Sequence, residues 1–260
     1  MSELTGKVIF LTGAGGVSGK SHISHFLMQG ARVIATDRNI SALEMLAEEI
    51  GAGDRLMVAS LDVTNEDAIA DCFEQITPLS PSVFVNNAAI TGEQMVRMGE
   101  VPGALADCSL ASWRAAMDVN LTAAFLVARE MDRRFIGKRP CKLINVSSMY
   151  GLFSPHHRIY DGHQIKPFPA YSASKAGLHG LTVWLAGYWA GKHTTVNTLS
   201  PGGVYNKQDP ELVADISRLN MMSRMAKAPE ISKVMAFLAS SSSDYMTGQN
   251  IYVDGGFSAW

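Results

Sequence analysis

Tyr171 and Lys175 stand four residues apart in Tyr171-Ser-Ala-Ser-Lys175, and Ser148 lies at the end of an apolar run upstream. If the stretch is helical, side chains at i and i+4 are neighbours on one face. A phenol titrates near ~10 in water and a nearby ammonium favours the phenolate, so the pair is suited to moving a proton close to neutral pH. Tyr-x-x-x-Lys alone is common, and an ordinary surface pair is the plain alternative. What gives it weight is the set of elements that would bring a ligand to the phenol.

Those elements begin with Lys7–Thr12, which reads as a buried strand, followed by Gly13-Ala-Gly-Gly-Val-Ser-Gly19 and a helical segment toward Gln29. Gly13, Gly16 and Gly19 permit a tight turn and close approach, while the following helix offers free N–H groups and a positive dipole end to a pyrophosphate. A second strand, Ala31–Thr36, ends on Asp37, where a carboxylate would accept hydrogen bonds from an adenosine ribose. Asp37 favours NAD over NADP, whose extra phosphate it would repel; Arg38 beside it could stack on adenine or meet that phosphate. A strand-end turn former is the alternative reading of Asp37. The strand Arg55–Leu61 delivers Asp62 and Val63 toward the adenine edge, and the run Ser82–Asn86 leads into Asn87-Ala88-Ala-Ile90, a small-residue turn open to a ligand. Repeated strand and helix units imply a parallel sheet with right-handed crossovers and ligands at the strand C-terminal ends. His22 and His25 in the first helix lack further ligands nearby and read as packed or solvent-facing.

Taken together, Thr12 to Gly19, Asp62, Asn86-Asn-Ala88, Asn120, Ser148, Tyr171 with Lys175, Pro201-Gly202 and Gly248-Gln-Asn-Ile-Tyr-Val-Asp-Gly-Gly256 resemble the short-chain dehydrogenase/reductase family over essentially the whole chain. The resemblance implies an α/β fold, a Rossmann-type doubly wound parallel sheet of about seven strands in the order 3-2-1-4-5-6-7 with helices on both faces, in a single domain over 1–260. It implies NAD(H)-dependent interconversion of a secondary alcohol and a ketone. Tyr171 would be the acid/base, Ser148 (with Ser147 as the alternative) would fix and polarise the oxygen, and Lys175 would support the phenolate and hold the nicotinamide ribose. Asn120, inside a helix read as Leu110–Phe135, would orient a relay water, and Pro201, Gly202 and Val204 would border the nicotinamide. Two residues depart from the family pattern: Val17 stands where it has Gly, and Ala89 replaces the Gly that commonly ends Asn-Asn-Ala. The Gly13, Gly16, Gly19 spacing resembles that of a longer, sugar-nucleotide-modifying branch. The family also implies a homodimer or homotetramer through the Tyr171 helix, whose Gly177, Gly180 and Gly187 beside Trp184, Tyr188 and Trp189 call for close helix packing or a subunit contact.

Between Gly151 and Tyr171 the chain is longer than this family's usual link between serine and tyrosine. The insertion 152–169 carries His156, His157, Arg158, His163 and Lys166, suited to binding hydroxyls and pairing with an anion. Candidate substrate contacts are Met149, His157, Arg158, Tyr160, Lys166 and Tyr205, with a solvated loop as the alternative for the insertion. A three-histidine metal site has no helix-like spacing to support it, so no metal is expected. Two further stretches border the site: 91–109, read as a long connection, and 205–226, read as a mobile cover with Met221, Met222 and Met225, in which Asp209-Pro210 starts a helix. A resemblance to dehydrogenases of flagellin-glycan and nonulosonic-type sugar biosynthesis favours a sugar or sugar phosphate as the small-molecule substrate. A 3-oxoacyl thioester or general ketone reductase is the runner-up, weakened by Asp37. A catalytically silent NAD-binding scaffold or redox sensor is the alternative of another class, against which the full set Asn120, Ser148, Tyr171 and Lys175 weighs.

The composition suits this reading. The 260 residues are 47% hydrophobic and 18% charged with a net charge of -2, which describes a globular protein and speaks against broad nucleic-acid binding. The polar start Met1–Lys7 lacks the features of a signal peptide, and no run is long enough to span a bilayer. Cys72, Cys108 and Cys141, odd in number and widely spaced, suit reduced thiols and a cytoplasmic location.

Overall fold

The computed structural model describes residues 3–100 and 104–260. Strand β1 (Val8–Thr12) is followed by helix α1 (Val17–Met28), β2 (Arg32–Asp37), α2 (Ile40–Ile50), β3 (Leu56–Ser60), α3 (Glu66–Ile76) and β4 (Val83–Asn86). Then come the short helix α4 (Gly92–Arg97), α5 (Leu110–Met117), α6 (Ala123–Arg134), β5 (Cys141–Val146) and α7 (Pro169–Tyr188). The remaining elements are β6 (Thr194–Pro201), α8 (Pro210–Arg218), α9 (Ala228–Ala239) and β7 (Asn250–Val253).

The seven strands form one sheet in the order 3-2-1-4-5-6-7, with every neighbouring pair parallel, as expected. Parallel strands need crossovers, and the crossovers place helices on both faces, which is why the strand sequences are almost continuously apolar. Ile9, Leu11, Val33 and Ala35 share one core with Ile23 of α1, Leu43 of α2 and Met235 of α9. Their sequence neighbours Phe10 and Ile34 point the other way, into a core with Phe73 of α3, Met131 of α6 and Leu185 of α7. The period-two alternation of a strand thus serves two cores at once.

Polar side chains tie the centre of the sheet to α7. Asn86 Nδ2 donates to Asn145 Oδ1, Asn145 Nδ2 to Thr182 Oγ1, and the Thr198 hydroxyl to the same Thr182 oxygen, each at 2.8 Å and all buried. Neutral groups satisfied in this way fix orientation without the cost of a buried charge.

The helix expected over 110–135 is not uniform. Between α5 and α6 lies a π turn, Asp118–Thr122, where Ala123 N–H bonds back to the Asp118 carbonyl. Leu121 in this turn packs against Gly177, where a Cβ would come within 2.5 Å of Leu121 Cδ2. Close helix packing therefore accounts for Gly177, whereas Gly180 and Gly187 face open space. The stretch 91–109 contains α4, and its residues 101–103 lie outside the described residues. The segment 205–226 leaves and returns at one point, with Tyr205 N–H donating to the Ala226 carbonyl and Ala226 N–H to the Gly203 carbonyl, both at 2.9 Å. Asp209 caps α8 as expected, accepting from Glu211 N–H at 2.9 Å and Leu212 N–H at 3.2 Å. Its methionines do not form one stripe: Met225 packs with Leu212, Ile216 and Tyr160, while Met221 and Met222 are exposed. Among the described residues no helix is long and apolar enough to cross a membrane, and Cys72, Cys108 and Cys141 are unpaired.

His22 is fully buried between α1 and α9, with Nδ1 at 2.8 Å from Ser232 Oγ and Nε2 unpartnered. Burial, with a lesser contribution from His25, lowers its pKa from 6.5 to about 4. The unfolded chain therefore binds a proton that the folded one refuses, so the stabilisation present above 6.5 is lost as pH falls toward 4. A shift of this size is worth on the order of 3 kcal/mol over the full window. The urea midpoint of the wild type should fall between pH 7 and pH 5 by more than that of His22→Leu; equal falls would exclude His22 as the source.

Candidate active site

A cleft of about 1180 Å³ runs across the C-terminal ends of the strands and holds most of the residues singled out in the sequence. Its nucleotide end is built on the turn after β1. Gly13 adopts φ +62°, and a Cβ there would lie 2.5 Å from Ala88 Cα, so the turns after β1 and β4 touch through a missing side chain. At Gly19 a Cβ would meet the Gly13 and Ala14 carbonyl oxygens at 2.6 Å. Gly16 carries no such constraint, its nearest contact being 3.6 Å, and it serves as the N-cap of α1. Val17 is the first helical residue and exposes its side chain at the cleft. The departure from the family pattern therefore leaves the turn intact and adds an apolar edge beside the free N–H groups of α1. An open glycine turn at a helix N-terminus fits a pyrophosphate.

The Asp37 carboxylate accepts from Gly15 N–H and Asn39 N–H, both at 2.9 Å, which fixes it at the cleft with acceptor capacity to spare. Arg38 also lines the cleft, and its charge faces Asp62. Hydrogen bonds from Thr64, with Arg38 adding attraction, hold the Asp62 carboxyl below its usual range. Val63 lines the cleft beside it. Asn87 lines the cleft, and its amide donates to the Thr12 and Gly13 carbonyls at 3.1 and 2.9 Å, so this side chain also staples β4 to the glycine turn. Ala88 supplies the close backbone approach.

At the chemical end, α7 places Tyr171 and Lys175 one turn apart, and Ser148 follows β5. The Ser148 hydroxyl beside the Tyr171 phenol acts to lower its pKa, but burial outweighs this and raises it. Ser147, the alternative to Ser148, donates instead to the Lys175 carbonyl at 2.8 Å and meets His179 Nε2 at 3.1 Å. Lys175 Nζ donates to the Val146 carbonyl at 2.7 Å and lies 5.8 Å from the Tyr171 ring centroid. Burial brings its pKa down to about 7. The expectation that Lys175 draws the phenol down is thus corrected for the protein alone, because desolvation favours the neutral form of both groups.

Asn120 sits in the π turn, and its amide is fully engaged. Oδ1 accepts from Ile90 N–H at 2.7 Å, and Nδ2 donates to the Ile90 carbonyl at 3.2 Å and to Ser174 Oγ at 3.1 Å. The side chain thereby ties the turn after β4 to α7. Pro201, Gly202 and Val204 line the cleft after β6, and a Cβ on Gly202 would meet Asp254 Cα at 2.8 Å.

The substrate end differs from expectation. Met149, Tyr160 and Lys166 line it, with Lys166 Nζ donating to the Tyr160 carbonyl. His157 and Arg158 are exposed outside the cleft lining, and Tyr205 likewise points away from it, so these three are corrected as substrate contacts. The turn His157–Tyr160 buries its last residue, Tyr160, against α8, which turns the basic pair outward. Residues missed in the sequence include Glu93 of α4, Asn206 and Gln208, and Tyr150, whose hydroxyl lies 2.9 Å from that of Tyr160. The only signal was their position in stretches already read as bordering the site. Among the described residues no group of three or more His, Cys, Asp or Glu is arranged to hold a metal ion.

Comparison with known proteins agrees with this geometry. A family model described as enoyl-(acyl carrier protein) reductase matches residues 19–258. The chain is 31% identical to galactitol 2-dehydrogenase (L-tagatose-forming) of Cereibacter sphaeroides over 99% of its length and 97% of the relative's. It is 33% identical to a 3-oxoacyl-acyl-carrier-protein reductase of Thermotoga maritima, over 98% of each chain. A solved short-chain type dehydrogenase/reductase from Mycobacterium marinum matches with a TM-score of 0.85 at 28% identity, over 99% of this chain and 97% of that one. A solved putative gluconate dehydrogenase from Agrobacterium tumefaciens matches with a TM-score of 0.86 at 25% identity, over 99% and 98%. The chain belongs to the short-chain dehydrogenase/reductase family, nicotinamide-dependent oxidoreductases that interconvert a secondary alcohol and a ketone.

Proposed function

We propose that this enzyme uses NAD in preference to NADP and acts on a polyol or related sugar-type substrate. The observation that carries the cofactor choice is the Asp37 carboxylate fixed against the glycine turn by Gly15 N–H, where a 2′-phosphate would meet a negative charge. The likeness to a galactitol dehydrogenase supports the substrate class. The insertion 152–169, on which the resemblance to flagellin-modification enzymes rested, borders the cleft through Pro155, Tyr160, Ile165 and Lys166 and also suits a sugar-type substrate. The 3-oxoacyl reading is kept as a second one, because a relative of equal coverage bears that name.

The bound nicotinamide would supply the hydride acceptor or donor. Tyr171 would exchange the proton at the substrate oxygen, and Ser148 beside it would hold that oxygen and stabilise its developing charge. A phenol kept protonated by burial is ready to donate to a carbonyl oxygen; alcohol oxidation needs the phenolate, which a charged Lys175 favours. Asn120 would keep the Ile90 turn and α7 in register around this pair. The unpaired thiols suit a reducing, cytoplasmic compartment. The outer side of α7 exposes Val183 and the stacked pair Trp184 and Tyr188, ring centroids 4.8 Å apart, and we assign it to contact with a second copy of the chain in a homo-oligomer.

Tyr171→Phe should lower turnover by about 10²–10⁴-fold while NAD still binds, measured by nicotinamide absorbance and by titration; near-normal turnover would end the acid/base assignment. Asp37→Ser should move the NAD/NADP ratio of kcat/KM by about tenfold or more toward NADP, since tenfold corresponds to only ~1.4 kcal/mol; an unchanged ratio would remove Asp37 as the selector. Trp184→Glu should shift the mass measured by light scattering toward the monomer, and an unshifted mass would place the interface elsewhere.

A further inference from the structure

The half-buried carboxylate of Glu93 is not used by the reaction and stands at the substrate end of the cleft. It bridges α4 to the segment after β6: Asn206 Nδ2 donates to Oε2 at 3.2 Å and Gln208 Nε2 to Oε1 at 3.4 Å. Both donors are neutral and both contacts are long, so each carboxylate oxygen keeps acceptor capacity. Gln208 is itself pinned, accepting from Asn206 N–H at 2.6 Å and donating to the Val204 carbonyl at 3.0 Å. Among the described residues Glu93 forms no ion pair. Of the basic groups in the same lining, Lys166 donates one of its N–H groups to the Tyr160 carbonyl and Arg97 is exposed at the rim, and neither pairs with Glu93. In the same part of the cleft the Tyr150 and Tyr160 hydroxyls pair at 2.9 Å, offering groups that both donate and accept.

A hydroxyl-bearing chain matches this lining, since each hydroxyl donates to the carboxylate while accepting from an amide or a phenol. A phosphate placed beside Glu93 would bring like charge against its carboxylate. An acyl chain would strip water from the carboxylate and leave its oxygens short of partners. We infer that Glu93 is the specificity-determining residue of the site, selecting a neutral polyhydroxylated substrate against phosphorylated and acyl ones. This rests on the proposed polyol reading and sharpens it.

The test compares Glu93→Gln, which keeps shape and removes charge, with Asn206→Ala, which removes one donor and keeps the charge. Sorbitol and sorbitol 6-phosphate serve as probes, with turnover followed by nicotinamide absorbance and affinity by calorimetry on the NAD-loaded enzyme. Glu93→Gln should reduce the preference for sorbitol over its phosphate at least tenfold, acting through KM and leaving kcat and the Kd for NAD within twofold. Asn206→Ala should retain the wild-type preference. A preference in Glu93→Gln within threefold of wild type, or an equal loss in Asn206→Ala, would overturn the inference. Calorimetry separates it from the reaction itself: a changed binding preference without turnover of either probe would uphold Glu93 and refute the proposed activity. Binding of neither probe would refute both.

Discussion

The Lys175 ammonium on the Val146 carbonyl, 2.7 Å away and buried, is the contact on which the chemical end depends. It joins the last residue of β5 to α7, and everything reactive lies within a few residues of that junction. Ser147 and Ser148 leave the strand just beyond it, one hydroxyl donating to the Lys175 backbone and the other turned to Tyr171. A lysine here is costly to keep charged, which is why its pKa falls to about 7. The sheet bears that cost because Asn145, one residue before Val146, is tied to Thr182 on the same helix. A fixed helix leaves the lysine nowhere else to go.

Much of this architecture is legible in the sequence because parallel sheets write themselves as apolar runs. The runs Lys7–Thr12, Ala31–Thr36, Arg55–Leu61 and Ser82–Asn86 follow from composition and period, and the count of seven strands and their order from the family resemblance. Polar side chains were harder to read. The amides of Asn87 and Asn120 also hold the Thr12, Gly13 and Ile90 backbone, a role the sequence did not show. An amide in a turn satisfies whichever donors and acceptors the tertiary fold leaves orphaned, and sequence does not display those. Within the insertion, which borders the cleft through Tyr160 and Lys166, charge was visible in the sequence, but the burial of Tyr160 that turns His157 and Arg158 outward was not.

Desolvation also reorders the electrostatics expected from residue types. Tyr171 and Lys175 read as a charge pair in sequence, whereas in the folded protein burial moves the pKa of each toward its neutral form. His22 obeys the same rule on the far side of the sheet, with Ser232 at one nitrogen and nothing at the other. Low dielectric surroundings act on every ionisable group, while specific partners act only on some, so burial sets the baseline from which each site is tuned.

The backbone pairing of Gly203 and Tyr205 with Ala226 has a consequence for how such a chain can diversify. Because residues 205–226 depart and return at one pinch, their length and sequence can change without moving β6 or β7, and doubling such a loop adds only ~0.6 kcal/mol of closure cost. The cofactor cradle on β1 and β2 lies at the other end of the cleft and shares no residue with this lobe. A graft bounded at Tyr205 and Ala226 would exchange this lobe while leaving the glycine turn and Asp37 untouched.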